Sequence, residues 1–370
     1  HPGRDKLIDE GARLGRHIAE YGRMYRVLDK VRNPVWSLTG WFWINSWNNM
    51  LHLPLPNPKD DMERPWFGFQ VSDIAVPGLL RAGIAADFVT ERQLMSEELI
   101  DRGAVFLPGL LYCREAVVDN LKKYIARGGK VYMDESSAVN IPGAEVIPVD
   151  MSKWHYDIAA GKRRNIQPNE TTYRKHRAMR EGYVAEAIPV IRDTIGGAVE
   201  SEVVIDNMWG AYSFIRNGDV RYLFVYNADT DKGHEFKVTL KTEPPVIYDL
   251  LAGKAVKTRK GSMKVDLPGG GWKVFALTER SIAEVSATAA IRKGRLRVNG
   301  SLKSGDGKVW RGAAPLQITL VGKDNAEQII YATSDEGLID RQIELIPSVV
   351  QPARILVRER LSGHDTTVEL

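Results

Sequence analysis

Apolar positions spaced three, four or seven residues apart predict an amphipathic helix over residues 5–28. The positions on this face are Leu7, Leu14, Ile18, Tyr21, Tyr25 and Leu28. The dipeptide Asn33-Pro34 ends the pattern, because a residue that precedes proline is pushed out of the helical region. The apolar stretch PVWSLTG follows and predicts a short buried strand.

Helical and strand patterns then alternate between residues 72 and 135. Helices are predicted at 72–83, 96–103 and 115–129, and strands at 84–90, 104–109 and 130–135. The strand AVFLPG at 104–109 is wholly apolar, which is expected when helices cover both faces of a sheet. This alternation predicts a parallel sheet that is wound on both sides.

The pattern changes after Asp150, where residues 151–180 are polar and basic and one further helix is predicted at 181–195. From about residue 200 the chain consists of short alternating strands, and Asn217-Gly218 is a strong hairpin signal between two of them. A second β-rich unit follows residue 280. We therefore predict an N-terminal helix at 1–30, an α/β domain at 31–150, a connector with a helix at 151–198, and β-sandwiches at 199–280 and 281–370.

Composition narrows the classes of function. The 370 residues carry a formal net charge of +4, and their densest basic stretches, 162–164 and 174–180, are accompanied by no nucleic-acid-binding motif. No apolar run approaches the roughly 18 residues that span a bilayer. Cys113 is the single cysteine and the seven histidines have no metal-ligand spacing, so we expect no disulfide, metal or cofactor. The first residues lack an initiator Met and a signal-peptide core, which predicts a mature form or a piece of a longer protein.

Three segments, 82–89, 105–109 and 121–130, carry a resemblance to a known family. With their "aGi..dfv" strand, "vvlPg" strand and "L..Yv..GG" helix end, they resemble the domain that follows the catalytic barrel in β-galactosidases and related glycoside hydrolases. That domain is similar in fold to class I glutamine amidotransferases, and so implies a flavodoxin-like parallel sheet. The strands after residue 220 look like the small β-sandwich that ends many such hydrolases. The last unit resembles immunoglobulin-like modules of exported bacterial proteins.

The resemblance implies that the turn after the strand at 130–135 is the place to look for a catalytic nucleophile. A class I amidotransferase needs a cysteine nucleophile there, on a strained elbow. Here the turn reads Met133-Asp134-Glu135-Ser136-Ser137, and Cys113 lies one strand earlier. Asp134 and Glu135 are the candidates that this turn offers for catalytic carboxylates. Adjacent residues of a strand point to opposite faces, however, which favours a structural interpretation of both.

An aromatic segment offers a second candidate site. Trp36, Trp41, Phe42, Trp43 and Trp47 lie within twelve residues, and Asn48 and Asn49 follow directly. Indole rings beside amides suit sugars, whose apolar faces pack on a ring while their hydroxyls meet the amides. Aromatic residues also dominate interfaces between proteins. We therefore predict carbohydrate binding or an interface at Trp41, Trp43, Trp47, Asn48 and Asn49.

Three hypotheses about function follow. About 30 residues precede the predicted α/β domain, and they are too few to form the catalytic barrel of the resembled hydrolases. This indicates that the chain alone has no catalytic activity. We favour an accessory or assembly region of a glycoside-hydrolase-like protein that is secreted, periplasmic or on the cell surface. Its expected partners are carbohydrate, a catalytic barrel domain or subunit, or further copies of itself, and not nucleic acid. The alternatives are a structural cell-surface assembly protein and a stand-alone hydrolase with a site in the α/β crevice.

Overall fold

Several antiparallel sheets and one small parallel sheet make up most of the part of the chain that the computed structural model describes. That part comprises residues 2–30, 35–38, 67–96, 99, 102–110, 113–153, 170–199, 201–345 and 351–370. No helix in these ranges is both long enough and apolar enough to cross a bilayer.

The parallel sheet contains five strands whose chain order and spatial order differ. The strands are β2 (Val35–Leu38), β3 (Ala86–Val89), β4 (Ala104–Leu107), β5 (Lys130–Asp134) and β6 (Glu145–Ile147). They lie in the order β3-β2-β4-β5-β6, and every neighbouring pair is parallel. Numbered within the sheet this order is 2-1-3-4-5, the doubly wound order of flavodoxin-like sheets.

Helices cover both faces of this sheet. Helices α2 (Phe67–Arg81) and α5 (Glu170–Ala198) pack on one face, where Leu79 and Ile191 are buried with Phe106. Helices α3 (Glu91–Leu94) and α4 (Glu115–Ala126) cover the other, where Leu94 and Leu121 are buried with Val105. All four residues of β4 are buried, because this central strand faces a helix layer on each side.

Two helices differ from the sequence predictions. Helix α3 begins earlier than the predicted helix at 96–103, half of which lies outside the described residues. Thr90 and Gln93 form a capping box, with Gln93 N–H 3.1 Å from Thr90 Oγ1 and Thr90 N–H 2.9 Å from Gln93 Oε1. These bonds satisfy two orphan donors at the helix start. Helix α5 lies within the predicted connector at 151–198, but it packs on the sheet and so forms a layer of the α/β unit.

The next part of the chain forms a first sheet pair, in which one sheet packs on another. The larger sheet has six strands in the order β1-β8-β9-β14-β11-β12, and the smaller has three in the order β13-β10-β7. Side chains from both sheets, such as Leu223, Phe236 and Phe275, meet in one core. The strands are β1 (Asp29–Lys30), β7 (Val203–Ile205), β8 (Gly210–Asn217), β9 (Val220–Asn227), β10 (His234–Leu240), β11 (Val246–Asp249), β12 (Lys254–Ala255), β13 (Ser262–Leu267) and β14 (Trp272–Thr278).

The remaining strands form a second sheet pair. Three strands lie in the order β15-β16-β19 and four in the order β18-β17-β20-β21. Val298 and Leu302 from the first of these sheets are buried with Ile318 and Val357 from the second. The strands are β15 (Ile282–Arg292), β16 (Arg295–Ser304), β17 (Pro315–Gly322), β18 (Glu327–Thr333), β19 (Leu338–Glu344), β20 (Pro352–Glu359) and β21 (Asp365–Glu369).

The N-terminal helix α1 (Pro2–Tyr25) packs against both sheet pairs. The Tyr21 hydroxyl donates to the Leu250 carbonyl oxygen at 3.3 Å. Arg360 lies over the Tyr21 ring, 4.7 Å from its centroid, and pairs with Glu20 at 2.9 Å. The helix predicted as a docking element or barrel remnant therefore buries one face against its own chain.

Candidate functional site

The carboxyl edge of the parallel sheet is where this topology favours a ligand. From β2, the first strand of this sheet in the chain, the chain moves to β3 on one side and then crosses to β4 on the other, so the strand order reverses between β2 and β4. Ligands of open α/β sheets bind outside the carboxyl ends of the strands at such a switch point. The candidate site therefore lies at the carboxyl ends of β2, β4 and β5.

The aromatic segment begins at Trp36 in β2. Its predicted site residues, Trp41, Trp43, Trp47, Asn48 and Asn49, lie outside the described residues, and their role in sugar binding or assembly stays a prediction. The described part of the edge comes from the ends of β3, β4, β5 and β6.

Asp134, at the end of β5, lies at the centre of the described edge and is completely buried. Its Oδ1 accepts hydrogen bonds from the Gly109 backbone N–H at 2.7 Å and the Ser137 hydroxyl at 3.0 Å. Its Oδ2 accepts from the Ser136 hydroxyl at 2.5 Å and the Met151 backbone N–H at 3.0 Å. Four donors therefore surround a carboxylate that has no contact with solvent.

These bonds fasten three loops to one another. Gly109 follows β4, Ser136 and Ser137 follow β5, and Met151 follows β6. Gly109 has a φ of 61°, a left-handed conformation that glycine adopts without steric cost, and this turns its N–H toward Asp134. Since each donor would be costly to bury without an acceptor, Asp134 fixes the shape of this edge.

The two serines are committed to the same network. The Ser137 hydroxyl also accepts from the Leu110 backbone N–H at 2.9 Å. The histidines whose side chains are described, His17, His234 and His364, lie in α1, in β10 and between β20 and β21. Among the described residues, neither serine therefore has the imidazole base that a serine nucleophile needs.

Glu135 lies next to Asp134 but in a different environment. Glu135 is exposed, and its backbone N–H donates to the Val149 carbonyl oxygen at 3.0 Å. One carboxylate is therefore enclosed and the other is in solvent. This arrangement differs from a pair of carboxyl groups that flank a glycosidic bond in one cleft.

Cys113 lies on the loop after β4, beside Glu91 and Arg114. Arg114 Nε is 3.3 Å from Glu91 Oε2, and the Arg114 backbone N–H donates to Glu91 Oε1 at 3.2 Å. Burial, together with the negative charge of Glu91, raises the pKa of the Cys113 thiol to about 12. Because the thiolate is the nucleophilic form, we expect this thiol to react slowly at neutral pH.

The edge therefore acts as a fixed platform. Within the described residues, no group of three His, Cys, Asp or Glu side chains is placed to hold a metal ion. Gly109 and Ser137 were not predicted from the sequence as parts of this network. The signal for Ser137 was present, since an Asp followed by serines two and three positions later is typical of a local turn.

The chain was compared with protein families, with curated proteins and with solved structures, and the similarities lie among the solved structures. No protein-family model and no curated protein matches the chain. Among solved structures, a GH42 exo-carrageenase from Bacteroides ovatus is 11% identical, with 67% of this chain and 29% of that chain covered and a TM-score of 0.36. A beta-galactosidase from Bacillus circulans sp. alkalophilus is 12% identical, with 66% and 41% covered and a TM-score of 0.40. Alpha-L-fucosidase isoenzyme 2 from Paenibacillus thiaminolyticus is 9% identical, with 72% and 51% covered and a TM-score of 0.45.

The chain therefore spans between 29% and 51% of the length of these three solved chains. At such identities and TM-scores, the likenesses add nothing to what the residues of this chain show by themselves.

Proposed function

We propose that this chain is a non-catalytic, carbohydrate-related accessory region of an exported glycoside-hydrolase-like protein. The observation that supports this proposal is the enclosure of Asp134 at the end of β5. An amidotransferase-like sheet would present its nucleophile at this position. Here the position carries a carboxylate whose oxygens accept four hydrogen bonds and hold three loops.

The finer fold assignments belong to this proposal. The 2-1-3-4-5 order of the parallel sheet is compatible with an amidotransferase-like domain that has kept its scaffold without a reactive cysteine. The two sheet pairs would be a hydrolase-type β-sandwich and an immunoglobulin-like module, at 199–280 and 281–370. Fold by itself carries no function, so the proposal depends on the site.

The junction between the α/β unit and the first sheet pair supports the role of a rigid accessory region. The Gly83 carbonyl oxygen accepts from the Ser201 hydroxyl at 2.6 Å and the Tyr212 hydroxyl at 3.1 Å. The buried Arg81 pairs with Glu181 at 2.6 Å and lies 4.4 Å from the centroid of the Trp209 ring. Buried polar contacts of this kind hold two units in one orientation, as a spacer or support requires.

Binding of sugar is assigned to the aromatic segment that follows β2. This segment begins at Trp36 in β2, which adjoins the switch point where the topology favours a ligand. Its indoles and amides have the chemistry that pyranose rings require.

A fluorescence titration tests the proposal. Wild-type chain and the Trp41→Ala/Trp43→Ala variant are titrated with galactose-, mannose- and glucose-based oligosaccharides, with Trp272→Phe as the control. We expect a saturable change in tryptophan fluorescence that the double variant loses and the control keeps. Turnover of aryl glycosides or glutamine by the wild-type chain would contradict the non-catalytic role. A flat titration would contradict the carbohydrate role, and altered sedimentation of the double variant would then favour an assembly role for the segment.

A further inference from the structure

We infer that the outer face of the β15-β16-β19 sheet binds an acidic polysaccharide through a cluster of cationic side chains. This face is far along the chain from the candidate site at the parallel sheet. It carries an open groove with a volume of about 900 Å³. The groove is lined by Ala290, Arg292, Lys293, Gly294, Arg295, Arg297, Asn299, Gln342, Glu344 and Leu345.

Strand register brings the cations together from both arms of a hairpin. Arg292 of β15 lies directly opposite Arg295 of β16, and Arg297 lies two residues further along β16 on the same face. Across the other side of β16, Arg295 is opposite Glu344 and Arg297 is opposite Gln342. All of these side chains are exposed. With Lys293 in the turn, the face therefore presents four cations, and its carboxylates are Glu344 in the groove and Asp340 beside Arg297.

Internal ion pairs account for only one of the four cations. Arg297 is paired with Asp340 through two contacts, 3.3 Å and 3.2 Å long. For Arg292, Lys293 and Arg295 the described residues provide no ion pair within 4.0 Å. Like charges placed directly opposite each other destabilise a sheet. An anionic ligand would offset this repulsion, because it would lie between Arg292 and Arg295.

The chemistry of the groove selects the ligand. Guanidinium groups bind sulfate and carboxylate through two parallel hydrogen bonds. The amides of Asn299 and Gln342 can meet hydroxyl groups beside those anions. No aromatic side chain is found among the described residues that line the groove, so bases of a nucleic acid would have no surface on which to stack. An acidic polysaccharide satisfies both the cations and the amides.

The cationic face is also preorganised. Lys293 and Gly294 form the two-residue turn of the β15–β16 hairpin with φ values of 50° and 72°, as in a type I′ turn. The Leu345 backbone N–H donates to the Gly294 carbonyl oxygen at 3.0 Å and ties this turn to the end of β19. A fixed backbone lowers the entropy cost of binding.

Binding assays with charged and neutral polymers test the inference. The probes are dextran sulfate, polygalacturonate, neutral dextran and a DNA duplex, at about 50 mM NaCl. The groove variant is Arg292→Gln/Arg295→Gln, and the control is Lys254→Gln/Lys257→Gln, which removes the same charge from exposed positions of the first sheet pair. We expect dextran sulfate and polygalacturonate to bind wild type and the control, neutral dextran not to bind, and the groove variant to bind about tenfold or more weakly. We also expect a shallower salt dependence for that variant.

Three results would overturn the inference. They are absence of binding to both acidic polysaccharides, equal weakening by the two double variants, and binding of the DNA duplex with the same affinity and the same loss. The groove variant relieves a like-charge pair, so it should fold, and its thermal transition checks this. The choice of a glycan over another polyanion rests on the proposed function. The inference and the proposed function can fail independently of each other, because the tryptophan titration with neutral oligosaccharides tests residues that do not line the groove.

Discussion

The side-chain amide nitrogen of Asn217 lies 3.0 Å from the carboxylate of Asp335, and the two residues are 118 positions apart. The same nitrogen donates to the Val27 carbonyl oxygen at 2.8 Å, and the Asn217 side-chain oxygen accepts from the Glu336 backbone N–H at 3.2 Å. Asn217 is only 5% exposed. One buried amide thus joins the end of α1, the first sheet pair and the second sheet pair.

Replacement of Asn217 with alanine should therefore destabilise the chain. Three hydrogen bonds are lost and buried partners are left without a substitute, which costs about 2–3 kcal/mol in the free energy of unfolding. Urea unfolding followed by circular dichroism measures the change. Asn299→Ala, at an exposed position of β16, is the matched control and should change stability by less than about 0.5 kcal/mol. Equal effects of the two changes would contradict a joining role for Asn217.

Asp134→Asn tests the structural role of the buried carboxylate. Asparagine replaces one carboxylate oxygen with an NH2 group, so two of the four hydrogen-bond donors around the side chain lose their acceptor. We therefore expect a loss of about 3 kcal/mol in the free energy of unfolding. Glu135→Gln, one residue away and exposed, should cost less than about 0.5 kcal/mol. Thermal and urea unfolding report both. An Asp134→Asn variant of unchanged stability would rule out the platform role.

The reactivity of Cys113 tests the chemistry of the same edge. A pKa of about 12, against an ordinary value of 9.0, leaves almost no thiolate at pH 8. After allowance for the greater nucleophilicity of a more basic thiolate, reaction with a disulfide reagent should be about 30-fold or more slower in the folded chain than in urea. The folded rate should keep rising with pH without a plateau below about pH 10, because the thiolate population keeps rising.

Thr288→Cys in a Cys113→Ser background provides the control, since position 288 is exposed on β15. This thiol should react at nearly the same rate folded and unfolded. Rapid labelling of Cys113 in the folded chain would make it a candidate nucleophile and would contradict the non-catalytic proposal.

The parallel sheet was predictable from local pattern, whereas its hydrogen-bond network was not. The all-apolar strand at 104–107 and the alternation around it follow from burial on both faces. The partners of Asp134 depend on contacts between loops, with Gly109 25 positions before it and Met151 17 positions after it. No local pattern encodes such distances.

Two further features show how tertiary contacts override composition. The polar, basic residues near 177 lie ahead of the helix that the sequence predicts at 181–195, but they belong to α5, where Arg177 pairs with Asp231 of the first sheet pair at 3.2 Å. The cationic groove is also invisible in the sequence, because its arginines do not form a dense basic run. Its arginines become neighbours only when the β15–β16 hairpin pairs Arg292 with Arg295.

The pH dependence of stability should carry a contribution from Asp229, which is 7% exposed. Its Oδ2 lies 2.9 Å from His234 Nε2, and its Oδ1 accepts from the backbone N–H groups of Asp231 and Lys232. Burial alone would raise the pKa of Asp229, but these bonds outweigh it and hold the pKa below its usual value of 3.8. The folded state therefore binds this proton less tightly than the unfolded state does.

A depressed pKa stabilises the fold above pH 3.8, and the contribution is lost as the pH falls further, through the folded-state pKa. Asp229→Asn should thus cost about 1 kcal/mol near pH 7, where the bonds to the carboxylate are complete, and progressively less below about pH 3.8. Urea unfolding of both proteins across this range measures the difference. Asp266→Asn, exposed on β13, should show a small difference at every pH. If the cost of Asp229→Asn were the same at pH 7 and below pH 3, its charge would contribute nothing and only the shape of the side chain would matter.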